Sequence, residues 1–378
     1  MRYFNGNYKD SLSTKFSSQI SAASNLELDV WYIACKEDGI YLCHKDNQQR
    51  ISPIKFRETK SIFYTVRYYT ALYQSIISIV SQNNRFDYVY IRNMFVTPSY
   101  IKALKQIQRK GSKCIVEIPT YPAMSEYSSE KNILRRITLF IQNKFEILSC
   151  KHVDLFALIG EPATQYHGRP AVNIGNGIHI CDIPLRKQEV LKDEIHILAL
   201  ASMSRWQGFD RIIEGMYEYR QKGGNKQIKF HLVGPDGDGS IKEWRALSNQ
   251  YGLQDSVLFE GPIYGDDLTL FINKCDIGVA SLGLYRKGFN NTSVLKIREY
   301  MVRGIPFIYA GNDFALNENN NFHIKVPNDD STIDIQRIVE FALMIRKNTQ
   351  VSIQMRKYAK ENMTWEKQFV KIFNEFIK

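Results

Sequence analysis

The stretch GLYRKGFNNTSVLKIREYMVRGIPFIYAG, residues 283–311, decides the fold. It holds a helix-sized amphipathic run closed by Gly304, then Pro306 and the short apolar run PFIYAG. Thr292 and Ser293 are good N-cap types, so the pattern predicts a helix from Val294 to Arg303 with Gly304 as its stop. Such a helix points the free N–H groups of Val294 and Leu295 out of its N-terminus, a ready anion site. Lys296 and Glu299 lie three apart and share a face. A cation beside a helix N-terminus suits a diphosphate. A carboxylate one turn further on can accept a fork of two hydrogen bonds from a pair of ribose hydroxyls. An ordinary exposed pairing of Lys296 with Glu299 explains the same spacing equally well, and both readings are open at this point.

Outward from this stretch, short β-rich runs alternate with helical patterns along the whole chain, which predicts βα units and parallel sheets. In the second half the runs IHILALASM, IKFHLVG, SVLFEGPI, IGVASL and PFIYAG read as strands. Helical patterns fall between them near 209–222, 240–251, 266–273 and 294–303. In the first half strands are expected near 1–4, 29–35, 88–92, 113–118 and 154–159, with helices near 11–24, 60–82, 100–110 and 131–148. The polar stretch RKQEVLKDE at 186–194 reads as a linker. Two α/β domains facing across a cleft follow, with ligands at the carboxyl ends of the strands. The boundaries are 1–180 for the N-terminal domain, 181–194 for the linker and 195–363 for the second domain. The final run TWEKQFVKIFNEFIK, 364–378, is an amphipathic helix with Trp365, Phe369, Ile372 and Phe376 on one face.

Composition narrows the classes. At 378 residues, with 44% hydrophobic and 24% charged residues, the chain has globular values and room for two domains. No apolar run approaches the ~18 residues of a membrane span. The start, MRYFNGNYKD, lacks the apolar core of a signal peptide, so a cytoplasmic location is expected. Six dispersed cysteines without metal-ligand spacing predict reduced thiols and no zinc site, and no metal cofactor is expected. The net charge of +11 is concentrated: residues 51–150 hold 15 Lys+Arg against 6 Asp+Glu. That excess is either the solvated surface of a basic protein or the footprint of an anionic partner. No nucleic-acid-binding module is recognisable, so nucleic acid is not expected as that partner. GPDGDG at 234–239 is followed by no GK[ST], which leaves a nucleotide-hydrolysing P-loop unsupported.

The second half resembles, in order, the retaining GT-B glycosyltransferases of the large family that builds bacterial polysaccharides and glycolipids (glycosyltransferase family 4 type). ILALASMSRWQGFDRIIEG is similar to that family's first strand, diphosphate loop and helix. KFHLVGPDGDG resembles its glycine-bearing strand end, and SVLFEGPIYGDDLTLFINKCDIGVASL its next strand, helix and strand. SVLKIREYMVRGIPFI resembles the helix whose final glutamate grips the donor ribose, with Glu299 in that place. NIGNGIHI, 173–180, resembles the Asn-Gly-Ile-Asp element with His179 in the Asp position, and TWEKQ the helix that crosses back to the N-domain.

The resemblance implies a hexosyltransferase that takes a sugar from a nucleotide-diphosphate donor with retention. The implied acceptor is a saccharide or a lipid-diphosphate-linked sugar, in capsule, exopolysaccharide or O-antigen synthesis. Peripheral contact with the anionic inner face of the cytoplasmic membrane goes with such an acceptor. The implied donor set is Gly6, Arg205, Gln207, Gly234, Ile263, Arg286, Thr292, Ser293, Val294, Leu295, Lys296 and Glu299. The candidate catalytic residues are Asn291, Lys296, Glu299 and Glu117. Three departures from the pattern stand out. Asn291 occupies the place, eight before Glu299, where the family has a second glutamate. Ser202 and Gln207 stand where its diphosphate loop carries Arg and Lys. VEIPTYP lacks the family's histidine on the N-domain side. Arg205, Arg286, Lys287 and Lys296 are therefore the candidate diphosphate cations, with Lys296 first because the helix aims it. Glu117 reads as an acceptor-hydroxyl contact or as a solvated strand end, with Tyr121 beside it. A non-catalytic partner subunit and a nucleotide-sugar epimerase are the rival readings.

Overall fold

The apolar runs of the second half are continuous rather than alternating, as strands buried on both faces require. A computed structural model of the chain describes residues 11–36, 38–55, 61–82, 86–122, 133–181, 183–189 and 193–377. The strand expected at 1–4 and the candidate Gly6 lie outside the described residues. The chain divides into two units, Met1–His179 with Trp365–Lys378, and Ile180–Thr364.

In the first unit the helices α1 (Ser11–Asn25), α2 (Ile62–Gln82), α3 (Pro98–Arg109) and α4 (Ile133–Cys150) alternate with or precede the strands. Strands β1 (Trp31–Lys36), β2 (Gly39–His44) and β3 (Asn47–Ser52) form a separate antiparallel meander. The run near 29–35, expected as one more parallel strand, is therefore the first strand of a hairpin. The meander's outer strand NQQRIS, paired with β2, is polar and largely exposed, so periodicity gives no sign of it. The main sheet has the order β4-β5-β6-β8-β7, from β4 (Tyr88–Arg92), β5 (Lys113–Tyr121), β6 (Leu155–Gly160), β7 (Gln165–Tyr166) and β8 (Arg169–Asn173). It is parallel except for β7.

Alternate side chains of one strand enter opposite layers. Cys114, Val116 and Ile118 of β5 meet the α2–α3 layer. Ile115 joins Leu155, Ala157 and Ile159 under the other layer. That second layer includes Ala22 of α1 together with Trp365, Phe369 and Ile372 of the final helix, Trp365–Asn374. The helix sits close enough to demand glycine at 177, where a Cβ would stand 2.6 Å from Trp365 Cγ. Gly175 N–H donates to the Gln368 side chain at 2.9 Å.

The second unit is a six-stranded parallel sheet of order β11-β10-β9-β12-β13-β14. Its strands are β9 (Glu194–Leu200), β10 (Gln227–Val233), β11 (Val257–Gly261), β12 (Ile277–Val279), β13 (Phe307–Ala310) and β14 (His323–Val326). Helices α5 (Asp210–Gln221), α6 (Ser240–Gln250), α7 (Gly265–Asn273), α8 (Leu295–Arg303), α9 (Ile335–Arg346) and α10 (Val351–Asn362) connect and follow them; α11 is Trp365–Asn374. Counting from β9, the order is third, second, first, fourth, fifth, sixth, the doubly wound arrangement with its switch point between β9 and β12. Both units thus have the Rossmann-like plan expected. Among the described residues no helix is long and apolar enough to cross a membrane.

Candidate active site

At a switch point the chain leaves two neighbouring strands in opposite directions, and the loops at their carboxyl ends part to leave a crevice. Here those loops follow β9 and β12. Each carries a turn of 3-10 helix, Arg205–Gln207 and Leu284–Lys287. The two loops are locked backbone to backbone. Leu282 N–H donates to the Gln207 carbonyl at 2.8 Å. Gly208, at φ +71°, lies so near the second loop that a Cβ would meet Gly283 N at 2.6 Å. On Gly283 a Cβ would meet the Trp206 carbonyl at 2.8 Å. Neither glycine tolerates a side chain without moving a loop.

Gln207 is the centre of this arrangement. It is buried, and its side-chain oxygen accepts from Ser281 Oγ at 2.9 Å and from Lys296 Nζ at 2.7 Å. The Lys296 ammonium also lies 5.3 Å from the centre of the Phe209 ring. Among the described residues no carboxylate stands within ion-pair distance of it. Burial without a counter-charge pushes its pKa down, to about 7. The ammonium thus occupies the end of the loop where the resemblance places a lysine at 207. The cation reaches that place from the helix instead of from the loop.

Helix α8 begins one residue later than expected. Val294, extended at φ −74° and ψ 125°, is its N-cap, and no side chain caps it. Thr292 and Ser293 are therefore not caps. Thr292 N–H instead donates to the Asn312 carbonyl at 2.9 Å, and Asn291 forms a parallel bridge with Asn312. The Asn312 amide donates to Asn291 Oδ1 at 3.0 Å. The first N–H groups of α8, those of Leu295 and Lys296, have no intrahelical carbonyl to meet. Glu299 does not pair with Lys296. Its Oε1 accepts from Arg303 Nε at 2.9 Å, and Arg303 Nη1 reaches Thr269 Oγ1 at 3.3 Å. The helix is held on the sheet by the buried pair of Arg298 with Asp313. Tyr300 holds it too, through a hydroxyl that donates to Val279 O at 3.1 Å and accepts from Leu200 N at 3.2 Å.

Other expected residues are placed differently. Arg286 is held by both oxygens of Asp210, at 2.8 and 2.7 Å, and by Asp330 at 3.0 Å. These bonds, Asp210's first, raise its pKa and neutralise it, so it is not a spare cation for a diphosphate. Arg205 is exposed, with its N–H on Asp238 Oδ2 at 3.0 Å. Lys287 is exposed and lies 4.6 Å above the Trp206 ring. Gly234, at φ +142°, ends β10 where a Cβ would overlap Ala201 O at 1.8 Å. Ile263 is half-buried in the loop after β11. Sequence reasoning missed Ser281, the Gly208–Gly283 contact and Tyr300, because each matters only through a partner distant in sequence.

Glu117, in the first unit, corrects both of its readings. It is fully buried rather than a solvated strand end, and both oxygens are occupied. Oε1 accepts from Lys15 Nζ at 2.7 Å and Arg92 Nη1 at 2.6 Å. Oε2 accepts from Gln19 Nε2 at 2.9 Å and the Tyr90 hydroxyl at 2.6 Å. Burial alone would raise its pKa, but the charges of Lys15 and Arg92, with the bonds from Lys15 and Tyr90, hold it at about 2. A carboxylate so enclosed is a poor base and has no room for an acceptor hydroxyl. Tyr121 is half-buried against Tyr166.

No family model and no curated protein sequence matches the chain. Solved structures do. A sucrose-phosphate synthase from Thermosynechococcus elongatus superposes with a TM-score of 0.68 at 14% identity, over 97% of this chain and 93% of that one. The fold is that of a GT-B glycosyltransferase. WaaG, a glycosyltransferase involved in lipopolysaccharide biosynthesis, matches this GT-B chain with a TM-score of 0.60 at 13% identity, over 95% and 94% of the two chains. HepE from Anabaena, solved in complex with UDP, gives 0.52 at 14% identity, over 80% and 82%. Among the described residues of this GT-B chain, no group of three or more His, Cys, Asp or Glu is placed to hold a metal ion.

Proposed function

We propose that the chain is a glycosyltransferase that binds a nucleotide-diphosphate sugar at the β9/β12 switch point and transfers the sugar with retention. The observation that carries the reading is the Lys296 ammonium. It is set at the first turn of α8, on the loop glutamine, with no carboxylate within ion-pair distance among the described residues. A half-buried cation with no anion beside it is costly, and a diphosphate supplies the missing charge. The orphan N–H groups of Leu295 and Lys296 and the helix dipole add to the attraction. Glu299, one turn on, accepts the ribose hydroxyls. UDP is the first nucleotide to test, since HepE was solved with it.

Transfer then breaks the anomeric carbon–phosphate oxygen bond and forms the bond to the acceptor oxygen. The acceptor proton passes to the departing phosphate oxygen on the same face. The closed bonding of Glu117 supports a step without an enzymic carboxylate base. The protein's contribution is positioning and stabilisation of the leaving diphosphate. The acceptor is a saccharide or a lipid-diphosphate-linked sugar of a bacterial surface polysaccharide, presented at the inner face of the cytoplasmic membrane. A thermal-shift series with UDP, GDP and their sugars tests the donor site, since a ligand of the folded state raises the melting temperature with the logarithm of its excess. A rise with one nucleoside diphosphate supports the proposal. No rise with any of them refutes it. NMR of the product's anomeric proton tests retention.

A further inference from the structure

Glu194 and His196 on β9, His231 on β10 and Glu260 on β11 form one row of titratable side chains across three neighbouring strands. Both rings are buried, with their centres 5.1 Å apart and their planes 11° apart. His196 Nε2 meets Glu194 Oε2 at 3.0 Å, and His196 Nδ1 meets His231 Nε2 at 2.8 Å. His231 Nδ1 meets Glu260 Oε1 at 2.8 Å. All four ring nitrogens are thereby committed. The Phe271 ring of α7 lies across His231, at 5.1 Å and 85°. The other charged groups beside the row bond elsewhere. Asp276 takes the backbone N–H of His196 at 2.9 Å and is held by Arg346 of α9 at 2.7 and 2.8 Å. Lys229 of β10 reaches the Asp255 carbonyl at 2.9 Å, and Arg186 the Cys275 carbonyl at 2.7 Å. Lys274, at the end of α7, is exposed.

A count of protons decides what the row holds. Each of its three contacts needs one proton between two atoms, because an ionised carboxylate and a bare ring nitrogen only accept. Two neutral rings carry two ring protons. The closed row needs three, so the pair carries one extra proton, shared along its central contact. Burial, ahead of the bond to Glu260, holds His231 below the ordinary imidazole value, and His196 beside it adds to that effect. The pair therefore has room for one extra proton and not for two. The two ends of the row differ. β9 has a strand on either side, and the Glu194 carbonyl accepts from Arg346 Nη2 at 2.6 Å. Glu260 is on the outermost strand, where the pairing of β10 with β11 shifts between Leu232 and Val233 and leaves it without a counterpart. The candidate donor residue Ile263 follows three residues on.

We propose that Glu194, His196, His231 and Glu260 form a pH-sensitive latch in which three ring protons close the row and loss of one frees Glu260 and the end of β11. Below the pKa of the shared proton the latch is closed. As pH rises through that value the proton leaves to solvent, and one contact is left with two acceptors facing each other. The Glu260 contact is the one that opens, since its strand is held on one side only. The device stands whether or not the crevice takes a nucleotide sugar.

NMR of the full chain, labelled with nitrogen-15 at histidine and followed across pH 5–9, tests it. His196→Gln and His231→Gln assign the two rings, and Glu260→Gln identifies the pair where a histidine variant fails to fold. One titration step is expected, in which the nitrogen signals of both rings move together. Hydrogen exchange gives the second readout. The Gly234 N–H donates to the Gly261 carbonyl at 2.8 Å, so it reports the end of β11. Its protection factor should fall about tenfold across the same step. Glu260→Gln supplies the third proton permanently, because its amide N–H meets His231 Nδ1. In that variant the step should disappear and Gly234 should keep its protection at pH 9. Two separate steps in the wild type, or none, overturn the proposal. So does a single step that leaves Gly234 protection unchanged or that survives in Glu260→Gln.

Discussion

The ammonium of Lys296 donates to the side-chain oxygen of Gln207 at 2.7 Å, across 89 residues of sequence. That contact joins the helix expected to grip the donor to the loop expected to hold its diphosphate. It also explains how a chain with glutamine at 207 keeps one cation at that place. Replacing Lys296 by Met should weaken nucleoside diphosphate binding by about ten- to a hundredfold, the range of one strong charge-assisted contact. The double change Gln207→Lys with Lys296→Gln should recover most of the loss, because the two atoms are neighbours. Isothermal titration of the three proteins checks both.

The same lysine fixes a pH dependence. Burial lowers its pKa to about 7 in the free protein, and a bound diphosphate raises it again. The charged form binds, so affinity is greatest below pH 7 and declines as pH rises through 7 toward the bound-state pKa. Within that window binding takes up as much as one proton. Calorimetry at pH 8 in buffers of different ionisation enthalpy should show the uptake in the wild type and none in Lys296→Met.

Glu117 and Lys15 make opposite contributions to stability. The carboxylate, held at about 2, contributes stability above its unfolded value of 4.5 that is lost as pH falls toward 2. By linkage this is on the order of 3 kcal/mol. Burial first, then Arg92, lowers Lys15 to about 8 despite its bond to Glu117. Its protonation between pH 10.5 and 8 therefore costs stability as pH falls. At neutral pH the two effects nearly cancel, as buried ion pairs often do. Removing one partner is a different matter: Glu117→Ala leaves the buried Lys15 and the half-buried Arg92 without their carboxylate and should destabilise the first unit by about 3–5 kcal/mol. Urea unfolding across pH 2–9 checks the profile and the variant.

Five of the six parallel strands of the second unit, β9 to β13, and helices α5 to α8 to within a residue or two, are legible from continuous apolar runs and glycine stops. The meander β1–β3 is not. Its last strand is polar, and its first is indistinguishable alone from one more parallel strand. β14 and helices α9 and α10 gave no recognised motif. The start of α8 was read one residue early because Thr292 and Ser293 are cap types, whereas the bridge between Asn291 and Asn312 draws that segment away. The residue types at Lys296 and Glu299 drew attention to the site. Their partners, Gln207 and Arg303, became visible only when the loops were in place, and so did the neutralisation of Arg286 by Asp210.

Gly208→Ala tests the interlocked loops. The new methyl meets Gly283 backbone, and φ +71° is strained for alanine. A loss of about 1–3 kcal/mol in stability is expected, with a larger proportional loss of nucleotide affinity than any surface alanine substitution gives. Chemical denaturation and nucleotide titration on the same sample compare the two.

Glu299→Ala separates ribose recognition from diphosphate recognition. Its bond in the free chain is a partly exposed pair with Arg303, worth about 0.3–0.5 kcal/mol, so Glu299→Ala should fold normally. Titration of wild type and variant with UDP, GDP and inorganic pyrophosphate separates ribose from phosphate recognition. At least a tenfold loss of nucleoside diphosphate affinity is expected, about 1.4 kcal/mol, with pyrophosphate binding unchanged. Equal nucleoside diphosphate affinity in Glu299→Ala and wild type would contradict it.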